Sequence, residues 1–158
     1  MKKLALTDFA KYRYPSALEL SPDGRYLTFA LKDVDREGDG YRWNLWLYDL
    51  ERRESRQITQ GDDQRKAVWE DNTHILYKTT EPDEALRARG FEEEWTVYHR
   101  LNVCTGEDRE AFRLPMSVSG LWKMDEGRYV FTGETHLDRP NLLELTGEAL
   151  EKELVRRQ

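Results

Sequence analysis

The strongest constraint on this chain is a repeat. Ala17–Phe29, Val68–Tyr77 and Leu121–Phe131 share one grammar: an apolar strand, a turn built on Asp with Gly or Asn, and a second strand ending in an aromatic residue. The closing aromatics Phe29, Tyr77 and Phe131 fall 48 and 54 residues apart. Gly24, Asn72 and Gly127 tolerate positive φ, and an Asp one or two residues before each bonds nearby amides, so the chain can reverse into a hairpin. A third strand follows each hairpin: Asn44–Leu50, Tyr98–Val103 and Asn141–Leu145. In each, one polar residue is held between two apolar ones: Asp49, Asn102 and Glu144. Polar-flanked fourth strands come at Arg56–Thr59 and Glu110–Leu114. The unit is four antiparallel strands in about fifty residues, used twice in full and once in part.

Even spacing of short strands suits a sandwich, a barrel or a propeller, and a four-stranded repeat favours the propeller. The expected fold is therefore all-β: a β-propeller fragment of about three blades, the third incomplete, with a C-terminal helix. Blade 1 is expected at about 14–60, blade 2 at about 64–115, blade 3 at about 117–146 and the helix at 147–158. In that helix Leu150 and Leu154 lie four apart, acids open it, and Arg156 and Arg157 close it in keeping with the macrodipole. Short helices are also expected after Thr7, over Asp8–Tyr12, and at Asp83–Arg89 before Gly90. The core is expected to hold Leu18, Leu20, Leu27, Phe29, Val68, Ile75 and Tyr77, with Trp46 and Trp122 at blade interfaces.

Composition narrows the class. The 158 residues carry 35% charged side chains, a net charge of −6 and 11% aromatics, a polar-surfaced folded domain rather than a disordered chain. The acidic balance argues against nucleic acid or an anionic membrane as partner. No apolar run spans a bilayer, and Thr7 and Asp8 cut short a signal-like start. Cys104 is the one cysteine, so no internal disulfide forms, and a cytoplasmic setting follows as an expectation.

Catalytic patterns are missing from the sequence. There is no Gly-x-Ser-x-Gly elbow, Walker loop or dinucleotide glycine fingerprint. His74, His99 and His136 lack metal-ligand spacing, and no base lies near Cys104 in sequence. No cofactor or metal is implied. The most suggestive cluster is Arg87–Trp95, where Glu92, Glu93 and Glu94 follow one another. On an extended segment consecutive side chains alternate, so at most two of the three converge. A glutamate pair in a cleft could hold an ammonium group such as a peptide's free amino terminus. The bland reading is a solvated loop in which Arg87 and Arg89 balance the carboxylates.

With the repeat in hand, the sequence resembles the amino-terminal propeller of the prolyl oligopeptidase family of serine peptidases, in its acylaminoacyl-peptidase and dipeptidyl-peptidase-like branches. The residues carrying the resemblance are Leu6–Ala10 leading into Pro15, Leu18–Phe29 with its Ser-Pro-Asp-Gly turn, Asn44–Leu50, Arg56–Thr59 and Ala67–Asn72. The resemblance implies a propeller followed by an α/β-hydrolase domain whose Ser, Asp and His cleave a peptide substrate by acyl transfer. That domain is outside this sequence, so the chain alone is expected to be inactive. Family members grip the substrate's amino terminus with a glutamate pair in a propeller insertion; Glu92–Glu94 is similar, but lacks the flanking pattern and sits in the second unit. The competing reading is a non-catalytic propeller module binding protein or saccharide. With open blade faces, a homo-oligomer is expected, most simply a two-fold dimer.

Overall fold

The computed structural model describes residues 12–35, 40–61, 63–125 and 127–157. The helix expected over Asp8–Tyr12 lies, but for Tyr12, outside them. Among the described residues ten strands form three antiparallel sheets. The first orders β1 (Tyr14–Leu20), β2 (Tyr26–Asp35), β3 (Gly40–Asp49) and β4 (Glu54–Gln57) consecutively. The second orders β5 (Ala67–Trp69), β6 (His74–Pro82), β7 (Glu94–Asn102) and β8 (Asp108–Leu114) in the same way. The third is the pair β9 (Ser117–Asp125) and β10 (Arg128–Glu134). Two compact units divide the chain: Met1–Thr79 with His99–Arg109, and Thr80–Tyr98 with Glu110–Gln158.

In the first unit, the turn between β1 and β2 follows from its residues. Gly24 takes φ +73°, which costs a glycine little. The Ser21 hydroxyl donates to Asp23 at 2.7 Å and accepts the Tyr26 N–H at 2.9 Å, while Asp23 accepts the Arg25 N–H. The polar residues closing the third strands have a parallel use. Asp49 accepts the N–H groups of Glu51 and Arg52, and Asn102 those of Cys104 and Thr105, so each folds the chain into its next turn.

The core of this unit gathers Tyr26, Ala30, Leu45, Leu47, Ala67, Trp69, Ile75, Tyr77, Leu101 and Val103. Ile75 and Tyr77 belong to it as expected, and the other residues expected in the core do not. Leu18 is 60% exposed and Leu20 is exposed too, while Leu27, Phe29, Val68 and Trp46 are half-buried. The first sheet is apolar on both faces: Phe29 pairs with Trp46 and Leu27 with Tyr48 on one, and Leu45 and Leu47 lie on the other. Alternation alone cannot say which face is innermost. A bulge between Ser16 and Glu19, with Ala17 at φ 49°, also shifts the phase of β1.

The second unit has its own small core. Leu86, Leu142 and Leu154 are buried together, with Phe91, Leu143, Leu145 and Leu150 packed on them. Leu86 comes from α1 (Glu84–Arg87), whose N-terminus is capped by Asp83 accepting the Leu86 N–H at 3.0 Å. Leu154 comes from α2 (Gly147–Arg157), the expected terminal helix. The expected strand Asn141–Leu145 does not form. Leu142–Glu144 makes a 3-10 turn capped by Asn141, whose side-chain oxygen accepts the Leu143 N–H at 3.0 Å. Three leucines in five residues satisfy a strand face or a helix-side cluster equally well, and α2 offers the cluster. Trp122, expected at an interface, is 46% exposed.

Candidate functional site

The glutamates singled out in the sequence line an open cleft of about 820 Å³ in the second unit. Glu94 opens β7, and Glu92 and Glu93 lie in the segment leading to it from α1. Local bonds fix that segment: the Asp83 N–H donates to the Glu93 carbonyl at 2.9 Å, and the Trp95 indole N–H donates to Asp83 at 3.2 Å. Facing walls come from Pro115–Ser117 at the start of β9, from Gly133–Leu137 at the end of β10, and from Arg139–Asn141 and Leu143.

The three carboxylates are not equivalent. Glu93 is half-buried and sits 3.4 Å from Arg157 Nη1 at the end of α2. Arg157 is itself pinned, donating to Glu153 at 2.8 Å and to the Pro140 carbonyl. The guanidinium groups of Arg156 and Arg157 pull the Glu153 carboxyl down to about 2. Glu92 and Glu94 are exposed and have no ion-pair partner among the described residues. Arg87 and Arg89 do not balance them: Arg87 pairs with Glu84, and Arg89 forms a two-pronged pair with Glu151 at 2.6 and 2.8 Å. Exposure thus alternates along the three, Glu93 half-buried and its neighbours exposed, although all three line the same cleft.

Glu134 adds a fourth carboxylate to the lining, while His136 and Arg139, 2.6 Å apart, form the basic part of the rim. Met116, Leu137 and Leu143 supply apolar surface. This arrangement suits an extended ligand with a positive end and an apolar neighbour. Arg157, Met116 and Leu143 carried no sequence signal for the site, because they reach it from segments far apart in the chain.

The remaining candidates lie in the first unit and are engaged structurally. His74 Nδ1 is 3.0 Å from Asp71, and its Nε2 is 3.2 Å from Asn102. His99 stacks on Tyr77 at 5.2 Å and meets Thr79 through Nε2 at 3.1 Å. Cys104 is exposed in a hollow of about 390 Å³ with Arg25, Arg52 and Arg56, its sulfur 3.7 Å from the Tyr26 hydroxyl. Among the described residues no group of three His, Cys, Asp or Glu side chains could hold a metal ion. No helix there is long and apolar enough to cross a membrane.

Among known structures, this chain is similar to the β-propeller domain of the Trilobed protease from Pyrococcus furiosus, a domain with an open velcro topology. The match has a TM-score of 0.56 at 14% identity and covers 78% of this chain. The fold is that of a β-propeller. The chain spans about a third of that relative, 34% of its length. A looser similarity, to the acylaminoacyl peptidase of Pyrococcus horikoshii, has a TM-score of 0.42 at 15% identity over 73% of this chain and 27% of that one. No family model matches the sequence. No curated protein matches it either. The propeller expected from the four-stranded repeat is present, and the likeness falls on the propeller of a protease.

Proposed function

We propose that this chain is part of the substrate-gating propeller of a cytoplasmic serine peptidase, of acylaminoacyl- or dipeptidyl-peptidase type. In this reading an α/β-hydrolase domain of the same protein carries out the cleavage. The propeller wall admits peptides and excludes folded proteins by size. The observation that carries the reading is the propeller fold shared with a protease domain, in a chain whose Ser-Pro-Asp-Gly hairpin resembles the same class. The cleft adds a role for named residues. Glu92 and Glu94 meet the ammonium group of a peptide through charge-assisted hydrogen bonds, and Glu93, tied to Arg157, holds their segment in place. Met116 and Leu143 take an apolar side chain beside it.

Peptide binding tests the contact role. By titration calorimetry, a short peptide with a free amino terminus is expected to bind this chain several-fold more tightly than its acetylated form. The double change Glu92→Gln and Glu94→Gln should erase the difference, whereas Glu84→Gln should preserve it. Equal binding of the two peptides by the unaltered chain would remove the glutamates from the reading. The chain alone should neither hydrolyse acylated or dipeptidyl substrates nor react with a fluorophosphonate probe, since catalysis needs a serine with a base and an oxyanion hole. Stoichiometric labelling of any serine would overturn the division of labour.

A further inference from the structure

β10 has β9 on one side and, among the described residues, no strand on the other. The first two sheets differ at this point: β2 is flanked by β3, and β6 by β7. The consequence is visible in the side chains. Phe131 pairs with Leu121, which is 3% exposed, yet Phe131 itself is 41% exposed. Val130, paired with Trp122, is exposed as well. The register shifts of the third sheet leave Met124 and Ser119 as extra residues on β9, so β10 pairs without a break from Arg128 to Glu134. Natural edges are usually blunted by such bulges, and here both fall on β9, which leaves β10 regular along its open side.

The sequence of β10 says what fits this edge. Read antiparallel to itself about Phe131, the strand is self-complementary. Arg128 falls opposite Glu134 at both ends, Val130 opposite Thr132, and Phe131 opposite itself. Tyr129 falls opposite Gly133, where a Cβ would come within 2.8 Å of the Ser117 carbonyl, so the large ring meets a position closed to side chains. Opposite charges, branched pairs and aromatic pairs are the contacts that stabilise neighbouring strands. A parallel arrangement in register would set Arg128 on Arg128 and Glu134 on Glu134. Sliding the antiparallel pair by one step of the pleat would lose both charge pairs. The Arg128 guanidinium is bonded to Asp125 but its side chain is 78% exposed, and Glu134 has no ion-pair partner among the described residues.

From this we infer that the chain self-associates, two copies joining their β10 strands antiparallel about a two-fold axis at Phe131. The dimer extends each two-stranded sheet into one continuous four-stranded sheet and covers the exposed face of Phe131. A seven-residue strand pair is a small interface, so the association is weak, with a dissociation constant on the order of micromolar or above. The inference is independent of the peptidase reading.

Sedimentation equilibrium of the full chain, from micromolar to hundreds of micromolar, tests it by charge reversal. The wild type is expected to dimerise reversibly. Arg128→Glu and Glu134→Arg alone each replace two attractive pairs by two repulsive ones, and each should weaken dimerisation about tenfold. An equimolar mixture of the two variants restores both opposite-charge pairs and should dimerise about as well as wild type. Glu134 also lines the cleft, and the mixing experiment separates that role because rescue requires the partner strand. A monomeric wild type, a dimer indifferent to the reversals, or a mixture without rescue would each overturn the inference. A second measurement needs no charge reversal. Phe131→Cys in a Cys104→Ser background should cross-link to itself in the presence of diamide, because facing residues of an antiparallel ladder lie about 4.5–5.5 Å apart. Glu148→Cys in the same background should not, and equal cross-linking at both positions would also overturn the inference.

Discussion

Phe29 and Phe131 close the same hairpin grammar at the two ends of the chain, and their surroundings differ. Phe29 lies on β2 beside β3 and stacks on Trp46, ring centres 6.5 Å apart. Phe131 lies on β10 with no described strand beyond it and is 41% exposed. A hairpin's turn residues decide where two strands form, and the third strand decides how deeply their side chains are buried. The first sheet has that strand in β3, paired with β2 from Asp35 opposite Gly40 to Tyr26 opposite Asp49. The third lacks it because the leucines of Asn141–Leu145 are taken up by α2 and Leu86.

The largest loss of stability is expected in the core of the first unit. Leu45, fully buried on β3, is part of what the third strand contributes. Leu45→Ala is expected to cost about 2–5 kcal/mol in urea or thermal unfolding. A loss below about 1 kcal/mol would mean that β3 is not what secures this sheet.

A sharper test sets the two phenylalanines side by side. Phe29→Ala, at a half-buried site, should cost about 1–3 kcal/mol, less than a fully buried ring. Phe131→Ala in dilute monomer should stay within roughly 1 kcal/mol of wild type. Equal losses at both positions would remove the third strand as the cause of the difference.

The smallest effect concerns charge in the second unit, whose helix α2 is fastened through Glu153, Arg156 and Arg157. The folded Glu153 carboxyl lies at about 2, below its ordinary value of 4.5. Its contribution to stability is therefore complete above about 4.5 and is lost as the pH falls toward 2. Thermal unfolding of wild type and Glu153→Gln should differ at neutral pH, and the gap should close over that acid window. A gap that persists at pH 2 would assign the effect to shape rather than charge.

Much of this fold was legible because turn chemistry is local. Ser21, Asp23 and Gly24 fix a hairpin without reference to the rest of the chain, and Asp49 and Asn102 end their strands by bonding amides two and three residues on. Burial was less legible: strands apolar on both faces leave their inner side to be chosen by neighbours, and Leu18 and Leu20 fell on the other one. In the cleft, the alternating exposure of Glu92–Glu94 could be read from an extended backbone, but not that all three would line it. The partner of Glu93 could not, since Arg157 lies 64 residues away and already has a sufficient local reason to end a helix.

The carbonyl of Glu19, just past the bulge in β1, accepts two hydrogen bonds. One comes from the Thr28 hydroxyl at 3.2 Å, nine residues along, and the other from the Trp69 indole at 3.1 Å, fifty residues along. Chain entropy separates these two closures. The longer loop costs about 1.5 kcal/mol more to close than the shorter, so the hairpin can form on its own within microseconds while the indole must wait for a distant segment to arrive. One oxygen atom thus marks two successive times in folding: the moment a strand pair exists, and the later moment at which Trp69 is drawn onto it and the first unit acquires an interior.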